Sequence, residues 1–307
     1  MSEFSTSPIS LPRGGLEDLS ISHSGLIASA GNDGTIRVRR SSENQTCEIA
    51  RCGDGQLWAC DWDSTGEFIA GVGSEGVVWV WAYSIEHEPN GVLVAQLDVA
   101  ERGMWALRWE PTSHCILVGD NRGDLHQLEF DPDLRTLSKK ASWSAHAGRI
   151  QGMAWRPDYP GECLTSGFDQ QVVLSSTASR APVWKVDRGT RSRSVAWMGG
   201  SEFAAAGDDG RVELFEVLTD GPRWSTSLSS EQPEQATRAG DDETLAALNS
   251  PWLWDLAVSE VDDGPEILAA GGDGNVYRWR VPEPDQEGDE RPGATTKLGE
   301  GGLFALA

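Results

Sequence analysis

Residues 57–81 contain three short apolar runs separated by polar turns. The first run, 57–62, has apolar side chains at its first, fourth and sixth positions. The second run, 68–72, is built of small apolar residues, and the third, 77–81, is β-branched and aromatic. Runs of four to six residues bounded by Gly, Asp and Ser indicate β-strands, and no helical period of 3.6 residues fits this window.

The same pattern recurs along the chain, and such self-similarity predicts a repeat architecture. Each copy contains a tight turn that ends in Gly, except for one that ends in Gln170. A turn ending in Gly supplies the positive φ that a tight hairpin needs, so we expect the turn at Gln170 to be looser or differently built. The six turns end at Gly34, Gly76, Gly123, Gln170, Gly210 and Gly274, spaced by 40 to 47 residues and finally by 64.

A further strand precedes each hairpin and repeats the apolar register of residues 57–62. Its first, fourth and usually sixth positions are apolar, with polar Ser192 as the exception at a first position. Six matches in phase predict six copies of one repeating unit. The triplets in this register include Leu16, Leu19 and Ile21 in the first copy and Leu253, Leu256 and Val258 in the last.

These repeats resemble the WD-repeat β-propeller family, whose period is about 40 to 45 residues with four strands per blade. Residues 107–111 (LRWEP) and 153–157 (MAWRP) are similar to that family's inner strand and following turn, and residues 274–279 (GNVYRW) to its third strand. The family's closing Trp-Asp dipeptide is absent. Its His before the inner strand survives only as His146, which we expect to bond Asp169. The resemblance implies an all-β propeller of four-stranded antiparallel blades.

Six complete hairpins favour six blades within a single domain, 1–307. A seven-blade ring with an incomplete last blade is the alternative, because residues 303–306 repeat the inner-strand register once more. A third arrangement, known in propellers that resemble coat-complex subunits, has a partner chain supply the missing strands. Two acidic stretches are expected to be solvated loops: 229–250, an insertion between blades five and six, and 281–292.

The net charge of the chain limits the classes of partner that we expect it to bind. The sequence has 25 basic and 48 acidic residues, a formal net charge of −23, which disfavours nucleic acid and anionic membranes. No apolar segment of membrane-spanning length occurs, and residues 1–15 do not have the pattern of a signal peptide. Among five cysteines, Cys47 and Cys52 lack the second ligand pair of a zinc site. We therefore expect no metal, no cofactor and a cytoplasmic setting.

The WD-repeat arrangement implies that the residue after the first apolar position of each inner strand lies near the mouth of the central channel. An arginine and several large aromatic residues occupy these positions, a composition typical of an interaction hot spot. The alternative is that the aromatic rings plug the channel or pack between blades. The positions are Glu17, Trp58, Trp105, Gln151, Arg193, Trp254 and Phe304.

Acidic residues of the tight turns are expected on the same face. They favour a basic peptide as the partner. These residues are Asp33, Glu75, Asp169, Asp209 and Asp273.

The sequence offers little chemistry for catalysis. Its five histidines lie in different repeats, without a nucleophile elbow, a phosphate-binding glycine loop or metal-ligand spacing. We therefore predict a non-catalytic scaffold that binds a protein or peptide on the channel-mouth face within a multi-protein complex. Two alternatives stay open: a structural subunit whose propeller is completed by a partner chain, and a hydrolase resembling diphthine methylesterase.

Overall fold

Short strands and tight turns continue along the chain, as the apolar pattern predicts. The computed structural model describes residues 15–40, 46–52, 55–84, 90–101, 103–227, 252–261, 264–281 and 294–297. Within these ranges every regular element is a β-strand, and the strands form six four-stranded sheets. Each sheet is built from four consecutive strands that pair as antiparallel neighbours. The prediction of an all-β fold with six four-stranded blades is confirmed.

By their contacts the residues divide into two units, the first of which ends at Trp143. It contains three sheets, here called blades 1, 2 and 3. Blade 1 is β1 (Leu16–Ile21), β2 (Leu26–Gly31), β3 (Thr35–Arg40) and β4 (Thr46–Arg51); blade 2 is β5 (Leu57–Trp62), β6 (Phe68–Gly73), β7 (Val77–Ser84) and β8 (Asn90–Asp98); blade 3 is β9 (Met104–Trp109), β10 (Cys115–Asp120), β11 (Asp124–Asp131) and β12 (Thr136–Ser144).

The second unit begins at Ser144 and contains blades 4, 5 and 6. Blade 4 is β13 (Ile150–Trp155), β14 (Glu162–Gly167), β15 (Gln171–Ser176) and β16 (Ala181–Asp187); blade 5 is β17 (Ser192–Gly199), β18 (Glu202–Gly207), β19 (Arg211–Glu216) and β20 (Trp224–Ser227); blade 6 is β21 (Leu253–Val261), β22 (Gly264–Gly271), β23 (Asn275–Arg280) and β24 (Ala294–Lys297).

The second strand of blade 2 shows how each unit builds its core. Successive side chains of a strand point to opposite faces of the sheet. Ile69 packs in the cluster shared with blade 1, whereas Phe68, Ala70 and Val72 pack in the cluster shared with blade 3. Every residue of β6 is buried. Burial on both faces explains why the second strand lacks an alternation of apolar and polar residues.

The second unit repeats this arrangement. Phe203 and Ala205 of β18 pack in the cluster shared with blade 4, and Ala204 and Ala206 pack in the cluster shared with blade 6. The first strands of consecutive blades are therefore neighbours within each unit: β1, β5 and β9 in the first, and β13, β17 and β21 in the second.

The turn at Gln170 differs from the expectation. Gln170 has φ 72°, as Gly34 does in the equivalent turn of blade 1, and its N–H donates to the Gly167 carbonyl at 3.3 Å as the Gly34 N–H donates to Gly31. The prediction of a looser or differently built turn is wrong. A non-glycine side chain in this left-handed region costs about 1–2 kcal/mol, and the turn retains its geometry despite that cost.

The first strand of blade 1 departs from the predicted register. Ile21 is 48% exposed, whereas Asp18 and Ser20 are buried. Asp18 and Ser20 are buried because their side chains form hydrogen bonds with β5 of blade 2. In blade 6, β24 pairs with β23 and is the outer strand of the sheet.

Several predicted segments lie outside the described residues. These are the extra inner strand at 303–306, the acidic stretch 229–250, and the acidic stretch 281–292 apart from its first residue. The placement of a seventh blade and the strands that a partner chain would supply therefore stay predictions.

Candidate functional site

The first strand of every blade contains a β-bulge at its second residue. In blade 2, Leu57 pairs with Gly73 and Ala59 pairs with Val72, so the pairing skips Trp58. A bulge removes the extra residue from the regular alternation and re-aims its side chain. Six of the seven predicted positions share this feature: Glu17, Trp58, Trp105, Gln151, Arg193 and Trp254. Phe304, the seventh, lies outside the described residues.

Each bulge lies beside the tight turn of its own blade. Gly73, the partner of Leu57, immediately precedes the turn that carries Glu75. The same pairing places Leu16 opposite Gly31, Ile150 opposite Gly167, Ser192 opposite Gly207 and Leu253 opposite Gly271. Within each of these blades, the bulge residue and the turn acid therefore lie at the same end of the sheet.

Trp58 and Trp105 form a stacked pair in the first unit. Their ring centroids are 3.9 Å apart and their planes differ by 14°. The stack requires a glycine at position 103, because a Cβ atom on Gly103 would lie 2.3 Å from Cζ3 of Trp58. Both indoles are partly exposed. Two adjacent bulges thus present one continuous aromatic surface, here called the tryptophan pair.

The bulges of blades 1 and 4 carry polar side chains. Glu17 accepts a hydrogen bond from the side-chain amide of Asn32. Burial raises the pKa of Glu17 to about 7, although the bond from Asn32 opposes the change. Gln151 is partly buried, and its Oε1 atom accepts no hydrogen bond from the described residues.

Arg193 and Trp254 bring the bulges of blades 5 and 6 together. The Arg193 guanidinium carbon lies 3.8 Å from the Trp254 ring centroid and 4.8 Å from that of Trp252. Arg193 also forms an ion pair with Asp208. The side chain of Arg193 is buried, and the contact is a cation–π stack in a partly desolvated position.

Two further arginines gather beside Arg193 around Phe168, a residue of the turn between β14 and β15. The guanidinium carbons of Arg149, Arg191 and Arg193 lie 4.6, 4.9 and 5.4 Å from the Phe168 ring centroid. Sequence reasoning missed Arg149 and Arg191 because each lies one residue before the first strand of its blade, outside the register positions that pointed to the site. Only the packing of two blades brings them to one ring.

Four of the five predicted turn acids form hydrogen bonds within their own blade. Asp33 accepts from Thr35 at 2.6 Å and pairs with Arg37 at 3.0 Å. Asp209 accepts the Arg211 N–H, Asp273 accepts from Asn275, and Asp169 accepts the Ala147 N–H. Glu75 is exposed. The turns therefore use most of these carboxylates for their own geometry, as expected for Asp in tight turns.

His146 bonds Asp169, as the family resemblance implied. The Nδ1 atom of His146 lies 2.8 Å from the Asp169 carboxylate, and Nε2 lies 2.9 Å from the Thr165 hydroxyl. Burial by itself raises the pKa of Asp169, but the bonds from His146 and Ala147 outweigh it and lower the pKa below its ordinary value. The prediction of this contact is confirmed.

Blade 3 contains a second His–Asp contact that sequence reasoning missed. His126 is buried, with Nε2 at 3.2 Å from Asp120 and Nδ1 at 2.9 Å from the Ser142 hydroxyl. His126 lies on the third strand rather than before the first, so the family pattern gave no signal for it. Its two ring nitrogens hold the turn and the outer strand against β11.

Acidic side chains of the first strands link blades 1, 2 and 3. Asp18 accepts the Cys60 N–H at 3.1 Å and pairs with Arg108 at 3.1 Å. Asp61 accepts the Trp109 N–H at 2.8 Å and the Ser20 hydroxyl at 2.7 Å. Burial raises the pKa of Asp61 to about 6, although Arg108 opposes the change.

The described residues show no arrangement suited to a bound metal ion. No group of three or more His, Cys, Asp or Glu side chains in those ranges could hold one. All five cysteines are free thiols. No helix in the described part of the chain has the length and apolar character to cross a membrane.

No protein-family model matches the chain. It is 25% identical over 226 residues to the protein transport protein SEC31 of Mycosarcoma maydis, a match that covers 64% of this chain and 15% of that protein. It is 22% identical over 209 residues to the nuclear pore complex protein NUP43 of Arabidopsis thaliana, covering 63% and 51%. A ciliary WD repeat-containing protein, ctxp80 of Euplotoides octocarinatus, is 21% identical over 199 residues, covering 58% and 26%. The chain thus spans about half or less of the length of these relatives.

Solved structures match the fold over nearly the whole chain. A chain in the crystal structure of a mitotic checkpoint complex gives a TM-score of 0.72 at 15% identity, covering 94% of this chain and 82% of that one. The WD40 β-propeller domain of Doa1 gives a TM-score of 0.71 at 13% identity, covering 96% and 86%. With its six four-stranded blades, the chain has the fold of these WD40 β-propellers, and its sequence is similar to that of a protein named for the WD repeat.

Proposed function

We propose that the chain is a non-catalytic scaffold that binds a protein or peptide partner through the bulge residues of its first strands. The stacked, partly exposed tryptophan pair carries this proposal. Large aromatic side chains bury much area at low entropic cost, and tryptophan is enriched among residues that dominate binding energy. The contact between Arg193 and Trp254 at the equivalent bulges extends the same composition to the second unit.

The relatives support a place in a multi-protein assembly. One is named as a nuclear pore complex protein, and one matched structure is that of a mitotic checkpoint complex. Because the chain spans only part of the length of its sequence relatives, we assign their activities and partners to it only as proposals. A cytoplasmic setting suits the five free thiols, since a reducing compartment keeps cysteines in that form.

For the tryptophan pair we propose a basic segment as the partner. The net charge of −23 favours the approach of a cation over that of a phosphate backbone or an anionic membrane. Glu75 is exposed on the turn beside Trp58 and supplies a local carboxylate. Cations also bind favourably over indole faces.

The two buried histidines, His126 and His146, give no support to the hydrolase alternative. His126 and His146 are buried, and both ring nitrogens of each lie within hydrogen-bonding distance of side chains in the same blade. These contacts hold turns and strands together, which is a structural use of the imidazole. We therefore propose binding without turnover as the function of this propeller.

Site-specific crosslinking in the native source tests where a partner docks. A photoreactive amino acid at Glu75 should capture a protein partner. The same group at Leu134, which is 72% exposed in the turn at the opposite end of blade 3's third strand, should not. Adding Trp58→Ala and Trp105→Ala should abolish the crosslink from position 75. A crosslink that survives both substitutions would place the binding surface elsewhere.

A further inference from the structure

Phe168 and the three arginines around it have a charge opposite to that of the whole protein. Arg149 lies before β13, Arg191 lies before β17 and Arg193 is the bulge residue of β17, so two blades contribute to one cluster. The three guanidinium carbons lie within 4.6 to 5.4 Å of the Phe168 ring centroid. With only 25 basic residues against 48 acidic ones, such a gathering of arginines needs a physical reason.

Contacts with the ring do not by themselves account for the cluster. A cation–π contact contributes about 0.5–1 kcal/mol at an exposed site, while like charges this close repel one another. Arg193 is neutralised by Asp208. Arg191 is exposed, and it forms no ion pair with a carboxylate in the part of the chain that the structure describes. Arg191 therefore offers its positive charge to solvent.

We propose that Phe168 with Arg149, Arg191 and Arg193, here called the arginine cluster, is a second docking site that recognises an acidic segment of a partner protein. A guanidinium stacked on a ring keeps the N–H groups at its edge available, and these match a carboxylate or phosphate oxyanion in two parallel hydrogen bonds. Trp254, stacked on Arg193, adds an apolar surface beside the charge. Charge complementarity thus selects a partner segment with clustered oxyanions.

This inference goes beyond the proposed function because it adds Phe168, Arg149 and Arg191 to the bulge residue Arg193, and because it names a partner of the opposite charge. The tryptophan pair belongs to the first unit and the arginine cluster to the second. Each site can therefore fail its test while the other passes. Both tests assume only that the ligand is a protein segment.

Fluorescence polarisation with labelled peptides tests the proposal. The probes are a twelve-residue peptide containing six glutamates, the same peptide with glutamine in those places, and the same peptide with phosphoserine in two of them. The glutamate peptide should bind the full chain and the glutamine peptide should not. A phosphoserine peptide that binds at least tenfold more tightly would identify phosphate, rather than carboxylate, as the partner's oxyanion within the same site.

Matched variants locate the binding. Arg149→Ala with Arg191→Ala should weaken the glutamate peptide at least tenfold, and Arg191→Lys should weaken it less because the positive charge remains. Arg211→Ala, a partly buried arginine of the same unit, is the control and should leave the affinity unchanged. Trp58→Ala with Trp105→Ala should also leave it unchanged. Far-UV circular dichroism checks that each variant folds.

The proposal would be overturned by equal affinity for the glutamate and glutamine peptides, by affinity that survives the double arginine substitution, or by an equal loss with Arg211→Ala. The chain's own acidic stretch 229–250 is the competing occupant. If the peptide binds only after Glu231, Glu234, Asp241, Asp242 and Glu243 are made neutral, that stretch rather than a partner protein occupies the cluster, and the proposal fails.

Discussion

Replacing Asp61 by asparagine tests the polar contacts that link blades 1, 2 and 3. Burial raises the pKa of Asp61 from 3.8 to about 6, so the fold favours the protonated carboxyl. The contribution of the protonated Asp61 carboxyl to the unfolding free energy is fully present below about pH 3.8 and is lost as the pH rises through about 6. Each unit of difference between the folded and unfolded pKa values corresponds to about 1.4 kcal/mol, so the full loss of unfolding free energy is about 3 kcal/mol.

Asparagine removes the titration but retains the contacts. Its side-chain oxygen accepts the Trp109 N–H, and its amide donates to the Ser20 hydroxyl in place of the bond that Ser20 donates now. The expected result is that wild-type protein loses about 2 kcal/mol relative to Asp61→Asn between pH 4 and pH 7, because part of the full change already takes place below pH 4. Urea unfolding at 25 °C, followed by circular dichroism across this range, measures the difference.

The control is Asp98→Asn, which removes an exposed carboxylate at the end of β8. Its unfolding free energy should follow that of the wild type at every pH. Parallel curves for Asp61→Asn and the wild type would refute the reasoning, because they would show that the Asp61 carboxyl titrates alike in the folded and unfolded chain.

Three other substitutions follow from the geometry. Gln170→Gly removes a side chain from a residue with left-handed backbone conformation and should raise the unfolding free energy by up to ~1 kcal/mol. Gly210→Gln, at φ 66°, should lower the unfolding free energy, and a change of the same sign in both variants would contradict this explanation. The wild type should lose stability as the pH rises from about 4.5 through about 7, because the folded protein favours protonated Glu17, and Glu17→Gln should remove this loss. Thermal unfolding measures it, and identical melting temperatures of the two proteins at every pH would show that Glu17 is not responsible. Gly103→Ala would force the Trp58 ring to move and should weaken partner binding without unfolding the protein, and full affinity in that variant would show that the stack is dispensable.

The regular part of the fold was predictable because it is local. Five of the six hairpins are specified by a turn glycine between two apolar runs, and the copies repeat along the chain every few tens of residues. The residues that follow the first position of the register were singled out from the sequence, but the bulge that they share became visible only in the strand pairing. Gln170 shows the limit: neighbouring contacts enforced a conformation that its own side chain disfavours.

The contacts between blades were not predictable from the sequence. Asp18 and Arg108 are 90 residues apart, and nothing in either strand indicates that they meet across β5. The arginines around Phe168 likewise come from two blades, and Arg149 and Arg191 are 42 residues apart in the sequence. The family pattern predicted His146, but His126 occupies a different strand and gave no such signal.

The affinity of the crosslinked partner for the purified chain tests the central claim most directly. Titration calorimetry would compare the wild type with Trp58→Ala, Trp105→Ala protein, using Tyr159→Ala, an exposed aromatic residue of the second unit, as the control. At about 2 kcal/mol or more for each hot-spot residue, the double variant should bind at least about a hundredfold more weakly, and the control should match the wild type. A dissociation constant that stays within twofold of the wild-type value in the double variant would contradict the account.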